Sequence, residues 1–130
     1  SKTLRKRVAD SLLYMRQAFG LLDTQLMYVT AFYTVAKNGP IGMTELAKEL
    51  QTTKTTISRV VAYLGAGAVE VSRPVPGLGY VTQFDDPMDT RKKLVALTPS
   101  GELVLRNVDD ILSGRVSLHE LTTKSNNIKG

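Results

Sequence analysis

Between Thr53 and Arg59, short hydroxyl side chains and a long cation recur at a spacing that could contact nucleic acid. Apolar residues of the same segment stand at i, i+3, i+4 and i+7, which predicts a helix with one buried face. These apolar residues are Ile57, Val60, Val61 and Leu64. Hydroxyls on the opposite face can bond phosphates and base edges in a DNA major groove, and arginine can bridge guanine. The candidate DNA contacts are Thr53, Lys54, Thr55, Thr56, Ser58 and Arg59.

A shorter helix is predicted just before this segment. Thr44 is expected to cap it with its hydroxyl, and Glu45 would complement the positive end of the helix dipole. Gln51 and Thr52 leave room only for a sharp turn, and Thr53 is the predicted cap of the second helix. The pair is typical of a helix-turn-helix, although a helix with a merely solvated polar face would show the same pattern. The neighbouring segments must decide between these interpretations.

The chain after the helix pair predicts a β-hairpin with a cationic loop. Val69–Val71 and Tyr80–Phe84 are expected to be extended, whereas the prolines and glycines of Pro74–Gly79 are expected to break regular structure. Asp85–Asp89 forms a turn, three consecutive cations follow, and a β-type run places Val95 and Leu97 on one face. The cations are Arg91, Lys92 and Lys93. A strand pair directly after a helix-turn-helix predicts a winged helix, and an ordinary charged hairpin is the alternative.

Composition limits the possible functions. We expect the 130 residues, 42% of them hydrophobic, to form one domain with a modest core. A net charge of +5 favours a polyanionic partner. The chain has no cysteine and a single histidine, His119, so disulfides and thiolate metal sites are excluded and we expect no metal site. We also expect no cofactor. Without an apolar run long enough to span a bilayer, we expect a cytoplasmic protein with no membrane partner.

The two ends of the chain predict amphipathic helices. Residues 1–22 carry apolar groups at helical spacing, and Gly20 is expected to end that helix. Residues 99–122 predict a second helix, with Thr98 as its cap and Pro99 at its first position. Because little core would remain to bury them, we expect these helices to form a homodimer; folding back on their own domain is the alternative. The candidate dimerisation residues are Leu4, Val8, Leu12, Val108, Ile111, Leu112 and Leu118.

A further helix, capped at Asp23 or Thr24 and stopped by Asn38-Gly39-Pro40, is rich in large apolar groups. Such a stripe is typical of a core. Methionine and aromatic side chains can also line a cavity for a small aromatic effector. The candidate pocket residues are Tyr14, Met15, Met27, Tyr28 and Phe32.

With these elements in order, the sequence resembles the MarR family of winged-helix regulators. The resemblance extends from about Gly39 to Gly101 and rests on TELAKEL, TTISRVVAYL, Asp89-Thr90-Arg91, Val95, Leu97-Thr98 and Gly101. It implies a mainly α fold with a small β-wing, in which 39–98 is the DNA-binding winged helix and the outer helices dimerise. The chain departs from the family pattern at Ala68, where a glycine is common, and at Pro74–Tyr80, which lengthen the wing.

The resemblance also implies roles for the wing residues. Arg91 would enter a DNA minor groove, where negative potential is concentrated, and Asp89 would support the wing through charge pairing. Lys92 and Lys93 would add phosphate contacts. The expected function is that of a homodimeric, sequence-specific regulator of transcription on a pseudo-palindromic operator, with half-sites about 10 base pairs apart. A ligand could shift its DNA-binding state.

A second hypothesis is an interaction module that binds a basic protein through the acids of Asp85–Asp89, with little specific DNA binding. An enzymatic function has no support, because the sequence contains no recognisable catalytic constellation or phosphate loop.

Overall fold

The computed structural model describes residues 1–20, 26–69 and 74–121. Its elements are α1 (Lys2–Ala18), α2 (Leu26–Asn38), β1 (Ile41–Gly42), α3 (Met43–Glu49), α4 (Lys54–Leu64), β2 (Gly67–Val69), β3 (Pro74–Pro76), β4 (Val81–Asp86), β5 (Asp89–Leu97) and α5 (Pro99–Ser113). The structure is mainly α with a small β-wing, as predicted. The chain divides into a helical unit of Ser1–Thr24 with Leu103–Gly130, and a winged unit of Gln25–Glu102.

The winged unit has a three-stranded antiparallel sheet in the order β1-β5-β4. Val95, with no exposed surface, pairs with Ile41 on one side and Gln83 on the other. β4 and β5 form the predicted hairpin, and its turn contains Pro87 and Met88. We call this hairpin, residues 81–97, the wing. The sheet therefore fixes the wing to the core through β5.

The predicted helix-turn-helix is present as α3 and α4. The apolar face of α4 is buried as its spacing requires: Ile57 and Leu64 have no exposed surface. Thr53 caps α4 as expected, because its Oγ1 accepts a hydrogen bond of 3.1 Å from the Thr56 amide. The predicted cap of α3 is wrong. Gly42 holds that position, and Thr44 lies inside the helix, because the chain leaves β1 directly into α3.

Pro74 and Pro76, expected to break regular structure, instead form β3, which pairs with β2. Proline has no N–H but is compatible with an extended backbone at an edge. Since alternate residues of a strand direct their amides to opposite sides, both proline nitrogens can lie on the unpaired edge while Val75 pairs with Ala68. Of the strand predicted at Val69–Val71, Glu70 and Val71 lie outside the described residues, as do Asp23 and Thr24.

Residues 78–80, which come directly before the wing, cap the end of α4. The backbone amides of Leu78, Gly79 and Tyr80 donate to the carbonyls of Tyr63, Gly65 and Leu64 at 2.9, 2.9 and 2.8 Å, respectively. The last carbonyls of a helix otherwise have no intrahelical partner. Gly77 allows this approach, because a Cβ there would overlap the Gly65 carbonyl oxygen and the Gly67 amide. The residues that lengthen this region relative to the family pattern therefore provide hydrogen-bond donors for the carbonyls at the end of α4.

Thr98 and Gly101 join the wing to α5. Thr98 Oγ1 accepts from the Gly101 amide at 3.1 Å and donates to the Gly79 carbonyl at 2.6 Å. A Cβ on Gly101 would overlap the carbonyl oxygen of Tyr80. The Leu-Thr-x-x-Gly pattern is thus explained by a helix cap and a close backbone approach.

In the helical unit, α1 begins with Ser1 as cap and ends just before Gly20, and α5 ends just before Gly114. Residues 118–121 are helical again. Two of the predicted dimerisation residues are corrected by their burial. Val108 and Ile111 are 1% and 2% exposed in the single chain, so they face its interior and cannot meet a partner. Leu4, Val8, Leu12 and Leu112 are exposed, and Leu118 is half-buried.

None of the helices in the described ranges has the length and apolar character to cross a membrane. The same ranges contain no group of three or more His, Cys, Asp or Glu side chains placed to hold a metal ion.

Candidate nucleic-acid interface

The exposed face of α4 carries the polar residues that the sequence predicts for DNA contact. Lys54, Thr55, Ser58 and Arg59 are exposed, whereas Thr56 is half-buried. The hydroxyl of Thr53 donates to that of Thr56 at 3.1 Å while it caps the helix. Thr53 and Thr56 therefore first stabilise the start of α4, and the other four side chains are presented to solvent.

A cleft of about 280 Å³ lies within the winged unit between the starts of α3 and α4 and the wing. We call it the helix–wing cleft. Its lining residues are Gly42, Met43, Thr44, Glu45, Lys54, Ser58, Gln83, Arg91, Lys92 and Lys93. Four cations and one carboxylate give it a positive balance. The structure thus brings Lys54 and Ser58 of α4 together with the three predicted cations of the wing.

The three cations lie in β5 and not in the loop where the sequence predicts them. The strand begins at Asp89, so the hairpin turn is limited to Pro87 and Met88. Lys93 pairs with Asp85 and lies two residues before Val95, so it shares the face of Val95. The register shifts at this point, because Asp86 pairs with Asp89, so Arg91 and Lys92 lie in an irregular part of β5 without a partner in β4. The side chain of Arg91 is 89% exposed.

Asp89 supports Arg91 directly. Asp89 Oδ1 accepts from Arg91 Nε at 3.1 Å and from the Arg91 backbone amide at 3.2 Å. These hydrogen bonds, from the side chain first and the backbone second, lower the pKa of the Asp89 carboxyl below its ordinary value. Asp89 thus lies beside Arg91, and its role as a support of the wing stays a prediction.

The other acids of the hairpin also have partners within it. Asp85 lies opposite Lys93 in the strand register, and its Oδ1 contacts Lys93 Nζ. Asp86 Oδ1 accepts from the Met88 amide at 2.8 Å, which closes the turn. Within the described part of the chain, Lys54 and Lys92 have no carboxylate at ion-pair distance.

The predicted effector-pocket residues are divided between the two units. In the winged unit, Phe32 has no exposed surface, and Tyr28 packs edge to face on Tyr63 with ring centroids 5.2 Å apart. Burial, and then the neighbouring Tyr28, raise the pKa of Tyr63. Met27 is half-buried.

In the helical unit, Tyr14 Oη accepts from Asn107 Nδ2 at 2.9 Å, and Met15 is buried. The helix–wing cleft and a second cavity of about 170 Å³, beside Val61 and Gly65, have other linings. Four of the five candidates thus have ordinary packing or hydrogen-bonding roles within their own units.

Sequence reasoning missed Gln83, Glu45 and Met43 as lining residues of the helix–wing cleft. Gln83 could have been found from strand alternation, because it lies two residues from the buried Val81 and pairs with Val95. Glu45 and Met43 carried no such signal, since their place in the cleft depends on how the wing meets α3.

Comparisons with known proteins give a consistent fold. No protein-family model matches the chain. The chain is similar to the HTH-type transcriptional regulator PrsX of Escherichia coli, with 26% identity over 103 residues, or 79% of this chain and 55% of that protein. It thus spans about half the length of the curated relatives it matches.

Two solved structures illustrate the likeness in three dimensions. Transcriptional regulator Tm0710 of Thermotoga maritima aligns with a TM-score of 0.64 and 23% identity, over 92% of this chain and 76% of that one. A mutant of Escherichia coli MarR, complexed with operator DNA, aligns with a TM-score of 0.53 and 18% identity, over 98% and 89% of the two chains. The chain therefore has the winged-helix fold of MarR-type regulators, as the sequence predicts.

Proposed function

We propose that the protein is a MarR-type, sequence-specific regulator of transcription that binds double-stranded DNA. The observation that carries the proposal is the helix–wing cleft, where Lys54 and Ser58 of α4 meet Arg91, Lys92 and Lys93 of the wing. Hydroxyls and an arginine on α4 suit base edges in the major groove, and cations beside them suit the phosphate backbone. The fold shared with an operator-bound MarR supports this assignment.

The two parts of the site have different tasks in this proposal. Thr55, Ser58 and Arg59 read base edges from the exposed face of α4. Lys54, Lys92 and Lys93 bind phosphates and carry no sequence information. Arg91, held by Asp89, reaches toward the minor groove from the first residues of β5.

We also propose that the protein acts as a homodimer. Leu4, Val8 and Leu12 form a stripe at i, i+4 and i+8 on one face of α1, and each is at least 42% exposed in the single chain. Leu103 and Leu112 of α5 are exposed as well. A second copy that covered these groups would remove apolar surface from water, at about 25 cal/mol per Å². Two copies would place two α4 helices on half-sites about 10 base pairs apart, so the operator would be a pseudo-palindrome.

The alternative, a protein-binding module that displays the acids of the hairpin, has less support. Asp85 and Asp89 contact Lys93 and Arg91, and Asp86 accepts a hydrogen bond within the turn. These three carboxylates already have ion-pair or hydrogen-bond partners within the wing. A small aromatic effector stays a proposal with less support, because four of its five candidate residues have packing or hydrogen-bonding roles within their own units.

A fluorescence-anisotropy titration tests the proposed function. The purified protein is titrated with DNA from upstream of its own gene and with a scrambled duplex, at several salt concentrations. We expect the upstream duplex to be preferred by a factor of about 10³ or more near physiological salt. Equal affinities that both vanish as salt rises would exclude a sequence-specific regulator and favour the protein-binding module.

A further inference from the structure

Two acids of the wing hold two different cations, and their geometries differ. Asp89 lies two residues before Arg91 on the same strand and contacts both its Nε and its backbone amide. Asp85 lies across the hairpin from Lys93, and its only described hydrogen bond is with the ammonium group. Asp89 thus holds the guanidinium of Arg91 along one edge, whereas the carboxylate of Asp85 contacts the charged ammonium of Lys93.

The chemistry of the two cations makes this difference important. A guanidinium has five N–H donors in a fixed fork, so Arg91 keeps donors for DNA while Asp89 holds it. An ammonium is a compact point charge with three donors, so a carboxylate on it offsets the charge that a phosphate would otherwise contact and takes up one of its donors. The side chains of Lys93 and Asp85 are 56% and 54% exposed, so both can be reached from solvent. Phosphate and Asp85 would therefore compete for Lys93.

We propose that Asp85 limits the affinity of the wing for DNA by holding Lys93 in a pair that phosphate must share or displace. The inference rests on the proposed function and deepens it. Non-specific binding consists almost entirely of phosphate contacts, so this pair weakens the retention of the protein on non-cognate DNA. Lys93 and Asp85 belong to β5 and β4, so substituting them leaves the base-reading side chains of α4 in place.

Asp86 is a matched control in the same strand. It has the same charge as Asp85 and is adjacent to it, but its Oδ1 accepts from the Met88 amide and contacts no cation in the described residues. An asparagine at this position can still accept that hydrogen bond. Asp86→Asn therefore removes one negative charge from the wing without opening an ion pair.

The experiment compares the wild type, Asp85→Asn and Asp86→Asn by anisotropy titration on the upstream and scrambled duplexes across a salt series. We expect Asp85→Asn to bind both duplexes roughly 1.4- to 5-fold more tightly at low salt, because an exposed ion pair has a free energy of about 0.2–1 kcal/mol. The slope of log affinity against log salt should become steeper by about 0.9, since one more cation is available for phosphate. Asp86→Asn should give a smaller gain and little change in slope.

A second pair of variants tests whether Asp85 acts through Lys93. In a Lys93→Gln background, Asp85→Asn should gain no more affinity than Asp86→Asn does. Equal gains for the two single variants, a gain that persists without Lys93, or weaker binding by Asp85→Asn would each overturn the inference. Unchanged thermal unfolding shows that the variants fold.

The same titrations separate this inference from the proposed function. If the wild type binds DNA but the two aspartate variants behave alike, only the role of Asp85 fails. If neither the wild type nor Asp85→Asn binds either duplex, both the inference and the proposed function fail.

Discussion

The winged unit and the helical unit differ in how many of their large apolar side chains are exposed. In the winged unit, Phe32, Leu46, Ile57, Leu64 and Val95 have no exposed surface. In the described parts of the chain, nine large apolar side chains are exposed, and six of these belong to the smaller helical unit. The six are Leu4, Val8, Leu12, Leu13, Leu103 and Leu112. The winged unit buries most of its large apolar side chains, whereas the helical unit leaves exposed the apolar surface that the proposed dimer would cover.

The largest effect is expected where a charge is placed on that uncovered surface. Leu12→Asp would put a carboxylate into the proposed dimer interface, where an unpaired charge costs about 3–5 kcal/mol. The dissociation constant of the dimer should then rise by roughly 10²- to 10⁴-fold. Sedimentation equilibrium measures this directly.

Leu26→Asp is the matched control, because Leu26 is 77% exposed and belongs to the winged unit. It should leave the association unchanged. If both variants remain dimeric, or if Leu26→Asp is the one that yields monomers, the contrast between the two units is wrong.

The next effect tests the closed core of the winged unit. Ile57→Ala removes a fully buried side chain from α4 and should lower the free energy of unfolding by about 2–5 kcal/mol. The loss should be the same at low and high protein concentration, because this core is complete within one chain. Urea denaturation at two concentrations measures it. A loss that depends on concentration would mean that the winged unit also relies on a partner.

The difference in burial between the winged unit and the helical unit also explains which features the sequence could predict. The stripe of Ile57, Val60, Val61 and Leu64 was readable because helical periodicity is local. The cap at Thr53 and the start of α5 after Thr98 were also local signals. Val108 and Ile111 were assigned to the wrong surface, because periodicity shows that a face is buried but not whether its own chain or a partner buries it.

Long-range contacts account for the other errors. Pro74 and Pro76 were misread because proline disfavours central strands, and only the pairing with β2 shows that they occupy an edge. The lining of the helix–wing cleft by Gln83 and Glu45 depends on the meeting of the wing with α3. The sequence therefore predicted the polar face of α4 and the cations of the wing, but not the cleft that they share.

Within the winged unit, α4 and the wing make a second, finer contrast between base reading and phosphate binding. Arg59→Ala removes the long cation from the exposed face of α4. We expect it to cost about 1–3 kcal/mol on the cognate duplex and to relax specificity at the base pair it contacts. Titrations against single-base variants of the operator measure the effect. Equal losses on cognate and scrambled DNA would assign Arg59 to phosphate instead.

The smallest effect belongs to Lys92, the wing cation that has no carboxylate partner within the described residues. In this proposal Lys92 contacts phosphate and no base. Lys92→Ala should therefore weaken binding to the cognate and the scrambled duplex alike. It should also reduce the slope of log affinity against log salt by about one. Thr55→Ala is the control on α4 and should leave the slope unchanged while it lowers only cognate affinity. If Lys92→Ala leaves the slope unchanged, Lys92 lies outside the interface, and Lys93 alone provides the phosphate contacts of the wing.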